Sequence, residues 1–118
     1  MIMNFEARKL TSKEKAIVNA LIIAGDPKWS HLTKHLSSVK VIEMEDGGMG
    51  SLLFFNGKNE DRKLGHVVNQ AEFIDSDDII VSIALNLDED GQLFELDFWK
   101  VNFEKLINMP SPSQLKFG

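Results

Sequence analysis

Glu95 and Asp97 stand two positions apart in FELDFWK, with Trp99 following at the same spacing. In an extended strand alternate residues project from one face, with side-chain origins roughly 6–7 Å apart. A carboxylate pair at that spacing could do acid–base work, and the indole beside it could serve as a platform for a ring. Polar residues at alternate positions are also what a half-solvated strand requires, so the pattern does not assign catalysis. Other patterns carry less chemistry. His31 and His35 have the spacing of helical zinc ligands, but no glutamate follows His31, no third ligand is identifiable, and the sequence does not place His66. Asp75-x-Asp77 and Asp88-x-Asp90-Gly91 resemble fragments of calcium loops that lack the glutamate at the twelfth position. The glycine-rich DGGMGS from Asp46 to Ser51 has no phosphate-loop lysine and reads as a turn. The expectation is therefore no catalytic residue, no metal site and no cofactor.

Composition narrows the class further. The 118 residues, 43% hydrophobic and 26% charged, are enough for one domain with a real core. There is no cysteine, which excludes a disulfide framework, a thiolate metal site and a cysteine nucleophile, and fits a reducing cytoplasm. The net charge of −5 is unevenly spread: +4 over residues 1–40, −11 over 41–99 and +2 over 100–118. Nine carboxylates and no basic residue fall between Lys63 and Lys100. Such a field repels nucleic acid and anionic membrane and attracts a basic protein surface, although a solubilising face would look the same. MIMNFEARKL carries an acid and no apolar core, so it does not read as a signal peptide. The longest charge-free apolar run, Ala16 to Gly25, is too short to cross a bilayer.

The elements that must position these residues are legible from periodicity. Ile79 to Lys100 alternates on both sides of Asp-Glu-Asp-Gly, which predicts a β-hairpin with Asp88 to Gly91 as its loop. That loop sets Leu85 opposite Phe94, Ile83 opposite Leu96 and Val81 opposite Phe98. It also sets Ala84 by Glu95, Ser82 by Asp97 and Ile80 by Trp99, giving one apolar face and one mixed face. Thr11 and Glu14 have capping-box spacing ahead of a helix carrying Ile17, Val18, Ala20, Leu21, Ile22 and Ala24. Gly25 is expected to close it in the left-handed conformation, and Asp26-Pro27 to start a second helix with Trp29, Leu32 and Leu36 inward. Strands follow at Val39 to Glu45 and Ser51 to Phe55, an exposed loop runs from Asn56 through KNEDRK, and a third strand spans Lys63 to Ile74. A bulge or bend is expected around Gly65 and Asn69. Asn102 to Asn108 reads as a short helical turn burying Phe103 and Leu106, and residues 109–118 as an extended or mobile tail.

RKLTSKEKAIVNALI, MEDGGMGSLLFF and LNLDEDGQLFELDFWKVNFEKL together resemble a family of small bacterial proteins described as a domain of unknown function. Its members are similar in a leading R-x-L-T-x-x-E helix, an Asp-Gly-Gly-Met-Gly-Ser hairpin and a closing Glu-Leu-Asp-x-Trp-Lys strand. This chain departs from the pattern at Asn102, where Asp is usual, and at Asp78-Ile79, where Asp-Gly is common. The resemblance implies no particular activity. In size, acidity and lack of cysteine the chain is similar in style to immunity proteins encoded beside polymorphic toxins. The expected fold is α+β: an N-terminal helix pair packed on one face of a curved, mostly antiparallel sheet of about five strands, forming a single domain over 1–118. The expected function is a non-catalytic binding protein of the bacterial cytoplasm, an immunity-like inhibitor of a basic toxin domain, with neither nucleic acid nor membrane as a partner. Asp75, Asp77, Asp78, Asp88, Glu89 and Asp90 would be its rim charges, and Glu95, Asp97 and Trp99 the strand residues that anchor the partner. The alternatives are a small enzyme or ligand-binding module using Glu95, Asp97 and Trp99, and a structural, self-associating domain.

Overall fold

A computed structural model describes residues 6–55 and 62–118. Among them the chain forms β1 (Arg8–Lys9), α1 (Ser12–Ala24), a 3-10 segment (Pro27–His35), β2 (Lys40–Glu43), β3 (Leu52–Phe55), β4 (Leu64–Ile74), β5 (Ile80–Asp88), β6 (Leu93–Lys100) and β7 (Lys116–Phe117). All seven strands join one antiparallel sheet in the order β1-β2-β3-β6-β5-β4-β7. The α+β expectation holds, with seven strands rather than about five. The loop expected from Asn56 lies largely outside the described residues.

The capping box at the start of α1 forms as read. Glu14 N–H donates to Thr11 Oγ1 at 3.1 Å, and Thr11 N–H donates to Glu14 Oε1 at 2.8 Å. Arg8 reaches across to the same carboxylate through both terminal nitrogens, at 2.8 and 2.9 Å, tying β1 to the helix. Burial works to raise the Glu14 carboxyl, but these hydrogen bonds win and hold it below its usual range. Ile17, Val18, Leu21 and Ile22 are buried against the sheet. Gly25 does not close the helix in the left-handed conformation; its backbone is extended, with φ −90°. The glycine is needed for space instead, because a Cβ there would stand 3.0 Å from the Val68 carbonyl oxygen of β4.

The expected helix pair is corrected to one α-helix and one 3-10 segment. Asp26 caps that segment by accepting from Lys28 N–H at 3.0 Å, with Pro27 in its first turn. Trp29 and Leu32 are only half-buried, and Leu36, just beyond, is the residue that enters the core. Between β2 and β3 the DGGMGS turn forms with positive φ at Gly47, Gly48 and Gly50. The irregularity expected in β4 is present as register shifts at Leu64/His66 and Val67/Asn69. The first follows from a close approach: a Cβ on Gly65 would collide with the Asp88 backbone carbonyl.

The hairpin keeps its expected faces but not its register. Ile83 pairs with Phe98, Leu85 with Leu96 and Ala84 with Asp97, two residues away from the alignment read from the sequence. Asp88 ends β5 rather than opening the loop. Its carboxylate accepts Asp90 N–H and Gln92 N–H at 2.9 and 3.0 Å and pairs with Arg62 at 3.0 Å. The turn therefore moves to residues 89–92, and a bulge at Asn86/Leu87 absorbs the odd residue. Phe94 falls in that bulge, half-buried under the Arg62 guanidinium at 5.1 Å, and not in the core as expected. A two-residue shift preserves facing, because side chains repeat every second position.

Candidate functional site

Ala71, Phe73, Val81, Ile83, Leu85, Leu96 and Phe98 form the inner face of the sheet, beneath α1. The outer face leaves Gln70, Glu72, Asp97 and Trp99 exposed, and the observed register orders it into rows. Ile74, Ile80 and Val101 make the first, with Val101 N–H donating to the Ile80 carbonyl at 3.1 Å. Lys116, Glu72, Ser82 and Trp99 make the second, and Gln70, Ala84 and Asp97 the third. Glu95 lies one row further on, beside Asn86 and Leu53.

Trp99 is 46% exposed on this face, and Phe103 meets it edge-on with ring centroids 4.9 Å apart. The expected helical turn over Asn102 to Asn108 is absent. Phe103 is 65% exposed and adopts φ +64°, a left-handed conformation that an aromatic residue rarely takes. Only Leu106 of the two expected core residues packs inward, half-buried.

The loop that presents Phe103 is fastened from below. Lys100 Nζ is fully buried and donates to Asp75 Oδ2 at 2.9 Å, Asp77 Oδ2 at 2.7 Å and the Lys105 carbonyl at 3.0 Å. Asp75 also accepts N–H bonds from Ile107 at 2.8 Å and Asn108 at 3.1 Å. Burial alone would raise the Asp75 carboxyl, but bonds from Ile107, Lys100, Ser76 and Asn108 bring it down to about 2. Burial lowers Lys100, and the two aspartates more than offset that and raise it.

The residues read from the sequence as a partner surface thus separate into two groups. Asp75 and Asp88 are buried at 3% exposure each, so both are corrected from rim charges to internal ion-pair acids. Burial raises the Asp88 carboxyl, but bonds from Gln92, Arg62 and Asp90 hold it low. Asp77 is partly open and neutralised by Lys100. Asp78, Glu89 and Asp90 are exposed, on two different turns. Glu95 is half-buried and accepts from Asn86 Nδ2 at 2.9 Å, while Asp97 is exposed with Ser51 Oγ at 3.4 Å. Asp97 and Trp99 share a trough of about 420 Å³ with Glu72, Ser82, Ala84 and Lys116; Glu95 lines none of it. His31 Nδ1 sits 3.0 Å from the Lys28 carbonyl, and the His66 ring lies 5.7 Å from that of Trp29. Among the described residues no group of three or more His, Asp or Glu is placed to hold a metal.

Phe103 was not identifiable as a surface residue from its type, and positive φ has no signature at a phenylalanine. Lys100 did leave a signal. It continues the core-facing series Leu96 and Phe98, so it required a buried counter-ion, and the adjacent Asp75-x-Asp77 turn supplies it.

An αL backbone costs an L-residue roughly 1–2 kcal/mol. Phe103→Asn, a residue that tolerates αL, is expected to hold or raise stability by up to about 1 kcal/mol despite deleting a ring. Urea titration tests this. A loss above about 1 kcal/mol would show that the Trp99 contact outweighs the strain.

These features define a small α+β protein with one sheet face covered by a helix and the other open, rimmed by acids and holding an aromatic pair. The family described as Domain of unknown function (DUF6984) matches residues 7–110, and the chain belongs to that family. No curated protein and no solved structure matches the chain. No helix among the described residues is long and apolar enough to cross a membrane.

Proposed function

We propose that this chain is a non-catalytic binding protein of the bacterial cytoplasm that docks a basic protein through the open face of its sheet, in the manner of an immunity protein neutralising a toxin domain. The observation that supports this most is the Trp99–Phe103 pair, exposed on a face shared with Glu72 and Asp97, with Phe103 in a left-handed backbone. Backbone strain of this kind clusters at ligand clamps and binding sites. Tryptophan is among the residue types that most often dominate an interface.

The test is recovery of a partner from the native bacterium, followed by binding kinetics at two salt concentrations. Trp99→Ala is expected to speed dissociation by about thirtyfold, the equivalent of a hot spot of about 2 kcal/mol. Neutralising Asp78, Glu89 and Asp90 should instead slow association and reduce its salt dependence. Asp75 and Asp88 are excluded from that set, since their substitution would disturb the fold. A partner whose kinetics ignored Trp99→Ala would sink this reading.

The trough favours a second reading, a ligand-binding module at Asp97 and Trp99. Glu95 is held by Asn86 a row away, which leaves the expected carboxylate pair without a common target.

A further inference from the structure

We infer that the trough on the outer face is a receptor for one arginine side chain of the protein partner. The inference rests on the binding reading above and deepens it by naming the group recognised.

The trough arises from residue sizes along the register. Its floor is Ser82 and Ala84, the two small outward residues of β5. Glu72 and Gln70 of β4 form one wall, and Asp97 and Trp99 of β6 the other. Across β5 Glu72 faces Trp99 and Gln70 faces Asp97, so the two carboxylates lie on opposite walls at a diagonal, two strand spacings and one row apart, roughly 11–12 Å. One planar aromatic and two carboxylates set diagonally on opposite walls of a small-residue floor complement a flat cation with donors on both edges. Guanidinium has that shape: it can stack on an indole and hydrogen-bond to a carboxylate on each side. An ammonium, a point charge, reaches one carboxylate at a time. Lys116 of β7, paired in register with Glu72, also lines the trough, so an incoming arginine meets a cation of the chain itself there. Beside the trough, Ile74, Ile80, Val101 and Phe103 are all exposed, offering apolar area to the residues flanking the arginine.

The test uses isotope-labelled full-length protein titrated with an arginine hexapeptide, a lysine hexapeptide and agmatine, a free guanidine. Saturable shifts of the Trp99 indole N–H and the Ser82 and Ala84 amides are expected with the arginine peptide. The lysine peptide and agmatine should each bind at least tenfold more weakly. Glu72→Gln with Asp97→Asn should lose that binding with the melting temperature unchanged. Lys116→Ala should tighten it, and Lys34→Ala, with the same change of net charge on the 3-10 segment, should not. Shifts spread over the acidic turns rather than the trough, or equal effects of Lys116→Ala and Lys34→Ala, would reduce the binding to general charge attraction and overturn the assignment. Agmatine binding as tightly as the peptide would overturn the commitment to a protein side chain. A recovered partner bound equally by wild type and by the double variant would leave the binding-protein reading intact and remove the arginine site. Arginine peptide seated in the trough with no protein partner recovered would support the site and remove the inhibitor reading.

Discussion

Phe98→Ala is expected to destabilise the protein by about 3–5 kcal/mol, from lost transfer energy plus the cavity left behind. The ring is 1% exposed and faces Ile83 on the inner face. Collapse into the gap is resisted from the backbone side. Phe98 N–H donates to Ser51 Oγ at 2.9 Å, and Ser51 Oγ donates back to the Phe98 carbonyl at 3.2 Å. Gly50 and Leu106 close over the ring from the neighbouring turn and loop: a Cβ on Gly50 would stand 3.6 Å from the ring and 3.3 Å from Leu106. With β6 pinned in this way, the surrounding groups relax little, and the cost belongs toward the upper end of the range. Urea denaturation with an unchanged m value measures it. A loss below about 1 kcal/mol would contradict the burial and the observed pairing with Ile83.

Asp75→Ala is the second large effect, about 3–5 kcal/mol, as expected when one member of a buried ion pair is removed. The substitution strips Lys100 of one of its two carboxylates and leaves the N–H groups of Ile107 and Asn108 without their acceptor. The same carboxylate gives stability a defined pH dependence. Asp75 is held at about 2 in the folded state against an ordinary value of 3.8, so between those values the unfolded chain binds more protons than the native one. Its contribution is complete above about pH 4 and is lost as pH falls through about 2. Glu14 and Asp88 are lowered as well and contribute with the same sign. Lys100 is raised, so its contribution is complete below the ordinary lysine value of 10.5 and is lost as pH rises through its folded value. Urea midpoints from pH 7 to 2 should fall steeply for the wild type and less steeply for Asp75→Asn, which starts lower. Identical acid slopes would show that this carboxylate is not linked to folding.

What was legible in the sequence was local. Thr11 and Glu14 announce their capping box because both partners lie within one helical turn. The faces of β5 and β6 follow from period two alone, and the DGGMGS turn from its glycines. The register failed where a distant residue intervened. Asp88 looks like a loop acid next to Glu89 and Asp90, but Arg62, 26 positions earlier, draws it into the strand. Asp75 was misread for the same reason, its partner Lys100 lying 25 positions later. Residues 109–118 read as a loose tail because two prolines break the pattern. In the fold Pro110 and Leu115 are buried, and β7 pairs with Ala71 and Glu72 of β4. The trough was hidden for a related reason: it needs Glu72, Ser82, Trp99 and Lys116 in one row, and only the correct register assembles them.

The strand order has a consequence for how the protein survives at high concentration. An unpaired sheet edge is a template on which further chains can add, and among the described residues both outermost strands are two residues long. One is Arg8–Lys9 and the other contains Lys116, so each rim carries the charges that discourage another strand from zipping on. Inward of β7, the eleven-residue β4 is kinked twice by its bulges, which spoils the straight run of donors and acceptors that cross-β growth requires. These short flanking strands act as gatekeepers. Trimming Lys116–Phe117 would cost little core, yet it would bare the hydrogen-bonding groups of Ala71 and Glu72 and open that edge to fibrillar stacking.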